Sequence, residues 1–106
     1  MVKNRKSRIN SDFPKDKYQK LMAENLVILR TKLGLTQDEI AEVIGASRQT
    51  LSLIERGVRP MMWDTFMSLL LLFQNNESTR VILPILGLYT PELEKFLNFT
   101  DLGKLR

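Results

Sequence analysis

The sequence predicts an all-α fold on three observations. Apolar residues recur at three- and four-residue intervals, glycines close the periodic stretches, and no alternating strand pattern of useful length occurs. At 106 residues the chain suffices for one domain with a core of its own. The hydrophobic share of 43% and charged share of 26% are those of an ordinary globular protein.

Residues 1–17 are polar, basic and interrupted by Pro14, and they read as a flexible N-terminal arm. The net charge of +4 is concentrated there, since residues 1–20 carry seven Lys/Arg against two Asp. Such an arm either tracks a polyanion or is a solvated tail, and charge alone leaves both open. From Tyr18 the pattern turns helical. Met22, Leu26, Leu29 and Leu33 fall on one face, and Gly34 supplies a stop. "TQDE", residues 36–39, is a capping box. Thr36 and Glu39 satisfy each other's free amides, and Asp38 and Glu39 suit the positive end of the helix dipole. Ile40, Ala41 and Ile44 then face a core, and Gly45 ends this short second helix.

Ser47 caps a third helix, expected over 47–56 and closed by Gly57. With Ser47 set at zero and about 100° per residue, Leu51 and Ile54 fall near 40° and 340°, with Thr50 near 300°. Arg48, Ser52, Arg56, Gln49 and Leu53 fall between roughly 100° and 240°, on the opposite face. Two apolar anchors thus hold the helix down while five side chains point away together. Arg48 can fork onto guanine O6 and N7, Gln49 onto adenine N6 and N7, and Leu53 can meet a thymine methyl. A plain solvated helix face has the same residue types, so the wheel by itself leaves both readings standing.

After "VRP", residues 58–60, a nearly all-apolar fourth helix starts at Asp64 or a neighbour and runs through "TFMSLLLLF". Trp63 is expected in the core. Met61, Met62 and Met67 read as adaptable packing, with an interface as the alternative. "QNNES" is a polar break. Arg80–Leu88 reads as a fifth helix interrupted near Pro84, and "TPELEKFL" as a further helix with Thr90 as cap and Pro91 in its first turn.

Several function classes are disfavoured. The chain has neither cysteine nor histidine, which removes most zinc sites and every Ser-His or Cys-His arrangement. No phosphate-binding glycine loop and no catalytic carboxylate pair is visible, so neither an enzyme nor a cofactor is expected. The longest apolar run, Leu69–Phe73, is far too short for a membrane helix, and the lack of cysteine suits the reducing cytoplasm.

Residues 29–57, "LRTKLGLTQDEIAEVIGASRQTLSLIERG", resemble the phage repressor/Cro-type helix-turn-helix, also called XRE-like. The similarity spans roughly residues 21–73 and rests on Leu29-Arg30, Gly34, Thr36-Gln37, Ile40-Ala41, Gly45, Ser47-Arg48-Gln49-Thr50, Ile54-Glu55 and Gly57. It implies a five-helix repressor-like DNA-binding domain, taken here as residues 18–76, with a C-terminal helical extension over 77–106. It further implies a sequence-specific regulator of transcription, in the repressor sense, that acts on double-stranded DNA. By the same resemblance Arg48, Gln49, Ser52 and Leu53 hold base-reading positions, and Gln37, Ser47, Arg56 and Arg59 hold backbone-contacting ones. Arg30 and Glu55 match a structural ion pair between the first and third helices. The sequence departs from the family pattern at Pro60, which comes one position early, at the apolar "MMW", and at Leu53, which is less polar than is usual there. The apolar residues of 78–99 are expected either to pair two copies of the chain or to cap the core. An antitoxin or adaptor that uses the same domain to meet another protein is the alternative function.

Overall fold

The computed structural model describes residues 12–98. Among these the regular structure is entirely helical: α1 Lys15–Lys32, α2 Gln37–Ile44, α3 Arg48–Glu55, α4 Trp63–Gln74, α5 Glu77–Arg80 and α6 Pro91–Leu97. No helix among the described residues is long and apolar enough to cross a membrane.

Helices α1 and α4 form the centre. Tyr18, Met22, Leu26 and Leu29 of α1 are buried, as are Phe66, Leu69, Leu70 and Phe73 of α4. The short α2 and α3 seat Ile40, Ala41, Leu51 and Ile54 on the same core. Burying a side chain the size of Leu51 or Ile54 contributes roughly 1.5–3 kcal/mol, which is what holds α3 down.

Local chemistry sets the helix ends. The capping box of α2 is complete: Glu39 N–H donates to Thr36 Oγ1 at 3.1 Å, and Thr36 N–H donates to Glu39 Oε1 at 2.9 Å. Gly45 closes α2 at φ 73°, a left-handed conformation costly for a residue with a side chain, and so turns the chain sharply into α3. Ser47 is the cap of α3 rather than its first turn, because its extended backbone lets Oγ accept from Thr50 N–H.

Three segments differ from expectation. Helix α1 begins at Lys15, three residues before the expected onset at Tyr18. Its entry is held by Phe13, which is buried and stacks on Tyr18 (centroids 5.1 Å apart) and Phe96 (4.1 Å). A lone aromatic in a basic stretch has no periodicity to announce it. Residues 1–11, which include most of the expected arm, lie outside the described residues. The expected fifth helix is instead the single turn α5 followed by a run of turns. Pro84 has no N–H to give the Arg80 carbonyl four residues back, so the regular helix ends at Arg80. Met62 is 60% exposed, whereas Met61 is buried, Met67 is partly buried and Trp63 packs against the core.

The C-terminal segment folds back onto the start of α1. Leu88 and Leu93 are buried, and Leu86, Tyr89, Phe96 and Leu97 pack partly buried against the core. Phe96 lies edge-on to Trp63, and Lys15 Nζ stands 5.3 Å from the Trp63 ring. The Tyr18 hydroxyl lies 2.6 Å from Thr90 Oγ1 and donates to Glu92 Oε1 at 3.1 Å, which ties α1 to the cap of α6. Burial pushes the Tyr18 phenol above its ordinary value; the bond to Thr90 opposes this and the Glu92 carboxylate adds to it.

The raised folded-state value makes this contribution to stability complete below the ordinary tyrosine value of about 10 and lost as pH climbs through the folded value. Urea titrations across alkaline pH are expected to give a falling stability that Tyr18→Phe flattens. Near neutrality the same substitution is expected to cost about 1 kcal/mol in lost hydrogen bonding.

Candidate nucleic-acid interface

Helix α3 has two unlike edges. Leu51 and Ile54 are fully buried, whereas Arg48, Gln49 and Arg56 are exposed and Ser52 and Leu53 are half-buried. Arg48, Gln49, Ser52, Leu53 and Arg56 together line one shallow hollow. The five residues that the helical wheel grouped are thus neighbours in space.

A polar network inside the helix pairing sets the angle of α3. Arg30 of α1 donates from Nε to Glu55 Oε2 at 2.6 Å and from Nη2 to Oε1 at 3.3 Å. Its Nη1 reaches the Leu35 carbonyl at 3.2 Å, in the link between α1 and α2. Gln37 Nε2 of α2 adds a third donor to Glu55, at 2.7 Å from Oε1. The Glu55 side chain is only 5% exposed and that of Arg30 18%, so the charges are largely withdrawn from water and matched by direct bonds. Gln37, assigned by resemblance to a phosphate, has its amide nitrogen turned inward on Glu55.

Two of the expected backbone-contacting residues, Ser47 and Arg59, meet at the N-terminal end of α3 through Thr50. Ser47 Oγ donates to Thr50 Oγ1 at 2.9 Å, and Arg59 Nη1 donates to the same Thr50 oxygen at 3.4 Å. Arg59 therefore leans back onto the first turn of α3, where Arg48 stands. Arg56 is exposed at the other end of the helix. Two participants went unnoticed in the sequence. Thr50 reads as an inward residue on the wheel, yet its hydroxyl joins Ser47 to Arg59. Asp38 reads as a dipole residue, yet its Oδ1 lies 3.7 Å from Arg48 Nε. Both relations cross between elements, and no local periodicity signals them.

Two short helices joined by a glycine turn, the second with a polar outer face, form the geometry that enters a major groove. The family model described as "Helix-turn-helix" matches residues 26–62, from the middle of α1 to the residue before α4. This segment is an XRE-like helix-turn-helix. The chain is accordingly a DNA-binding regulator built on that domain. No curated protein and no solved structure gives a significant match.

The network around Glu55 sets an order on substitutions. Arg30→Ala leaves a nearly buried carboxylate with one neutral donor and is expected to cost about 3–5 kcal/mol. Glu55→Ala leaves a more exposed guanidinium that keeps the Leu35 carbonyl, with an expected cost of about 1–3 kcal/mol. Chemical denaturation of the two variants checks the order.

Proposed function

We propose that the chain is a sequence-specific repressor that seats α3 in the major groove of double-stranded DNA. The observation that carries this reading is the division of α3 into a buried edge of Leu51 and Ile54 and an exposed edge of Arg48, Gln49 and Arg56. Arg48 and Gln49 offer paired donors and acceptors suited to guanine and adenine, and Ser52 and Leu53 complete the base-reading set. Ser47, Arg56 and Arg59 flank that set and bind phosphates, fixing register. Gln37 contributes through its main-chain N–H at the positive end of α2, since its side-chain nitrogen is engaged with Glu55. Occupancy of the operator in the cytoplasm blocks transcription, with no chemical step and no cofactor.

Two copies reading half-sites about one helical turn apart complete the proposal. Most apolar residues of 78–97 pack inward, but Val81 and Ile85 remain 56% and 80% exposed, four residues apart. They are the surface within this segment that supports pairing; Phe99 lies outside the described residues. The same two side chains favour the second reading, an antitoxin or adaptor that meets another protein. An adaptor keeps its partner when Arg48 and Gln49 are both replaced by alanine; a repressor loses its operator.

Binding to a duplex selected from a random pool tests the first reading. Arg48→Ala is expected to relax preference at one base position and cost about 1–3 kcal/mol there. Arg59→Ala is expected to weaken all sequences alike and to reduce the salt slope by about one. Equal loss on selected and random duplexes for Arg48→Ala contradicts the base-reading assignment. Sedimentation of the full chain at micromolar concentration is expected to give a dimer that Ile85→Lys dissociates. A monomer under those conditions counts against pairing through Val81 and Ile85.

A further inference from the structure

We infer that Asp38 is a positioning residue for base recognition, whose carboxylate on α2 holds the Arg48 guanidinium of α3 in the orientation that meets a guanine. The inference rests on the reading of α3 as the recognition helix.

Three observations lead to it. Asp38 Oδ1 lies 3.7 Å from Arg48 Nε, with both side chains well exposed, at 77% and 61%. The capping of α2 is carried by Thr36 and Glu39, so Asp38 is not needed for the side-chain cap. Its neighbour Gln37, placed by resemblance on the DNA backbone, is bonded inward to Glu55. Asp38 is the side chain of α2 that faces a base-reading candidate.

An acidic group beside a surface that meets a polyanion weakens every complex with that polyanion. The positive end of α2 favours an acid there, as it does Glu39, but only Asp38 of the two stands beside Arg48, where it serves discrimination. The guanidinium is a planar fork with donors on two edges. A carboxylate on the Nε side leaves the Nη1 and Nη2 ends for the O6 and N7 of guanine. It also limits the conformations of a long side chain before binding, so less freedom is lost when the base contact forms. On a duplex without that guanine, the carboxylate retains its repulsion for phosphate with no base contact to offset it. Both effects raise specificity, and the second lowers affinity for random DNA.

This gives a signature of opposite signs that a purely structural residue does not produce. The full chain is titrated with the duplex selected from a random pool, with its single-base variants, and with random duplex, using Asp38→Asn, Arg48→Ala and the double variant. Asp38→Asn is expected to bind random duplex about two- to fivefold more tightly, the range an exposed ion pair spans. It is expected to lose about two- to fivefold of preference at the one base pair that Arg48→Ala also relaxes. In the Arg48→Ala background, Asp38→Asn is expected to leave that position unchanged. If Arg48→Ala relaxes one base pair and Asp38→Asn does not, the Asp38 assignment is overturned while α3 keeps its role. If Arg48→Ala leaves every preference intact, the reading of α3 falls and this inference with it. A parallel loss of affinity for selected and random duplexes on Asp38→Asn overturns the inference in favour of a structural role.

Discussion

The Glu55 carboxylate sits where α1, α2 and α3 meet, and each of the three helices contributes to its environment. It belongs to α3, Arg30 of α1 grips it through two nitrogens, and Gln37 of α2 donates a third bond. Apolar contacts from Leu51 and Ile54 attach α3 to the core but are non-directional, and a helix resting on them alone can rotate or slide. Directed bonds to a carboxylate 5% exposed do not tolerate such drift, since a small displacement leaves a desolvated charge short of a partner. The outward edge of α3 therefore inherits its direction from a polar contact on the inward side.

A second anchorage works at the opposite end of α1. Phe13, Tyr18, Trp63, Phe66 and Phe96 form a connected set of ring contacts, with Lys15 over the Trp63 and Phe96 rings. These residues come from the entry to α1, the first turns of α1 and α4, and α6. Trp63 opens α4 immediately after the loop that carries Arg59, so the rings also restrain one end of that loop. The C-terminal extension thus stabilises the helix-turn-helix from behind, which is why Leu88 and Leu93 are buried and most of its other apolar residues are withdrawn from solvent. Aromatic contacts of this kind add to the area they bury, by about 0.5–1.5 kcal/mol per pair.

Features carried by chemistry within four residues were legible in the sequence. The Thr36–Glu39 box, the Ser47 cap, the Gly45 stop and the two edges of α3 each follow from a local hydrogen bond or the helical repeat. The pairing of Arg30 with Glu55, 25 residues away, has no such signal, and only a resemblance suggested it. Phe13, the inward turn of Gln37, the hydroxyl relay at Thr50 and the Asp38–Arg48 approach were missed for the same reason: each depends on where one element lies against another. The broken segment after Arg80 was legible only in part. Pro84 marked an interruption, but its effect falls four residues earlier, at the carbonyl it cannot satisfy.

The inward and outward polar groups obey different electrostatics. Around Glu55, burial makes each bond consequential and each loss costly. On the outer edge, Arg48 and Asp38 stand in water, where an ion pair contributes at most about 1 kcal/mol and yields readily to a new partner. Under the proposed reading that contrast suits recognition: the buried network fixes α3, while the exposed side chains exchange water for base and phosphate, Arg48 through the Nη edge that Asp38 leaves open. The described face carries three arginines for such exchange, Arg48, Arg56 and Arg59, against one acid, Asp38. Under the same reading, neutralising a few phosphates gives a shallow salt dependence, about −0.9 per contact. Under the proposed reading of α3, a surface so small discriminates well only if its few contacts are well aimed, so the orientation of Arg48 matters more than the total charge.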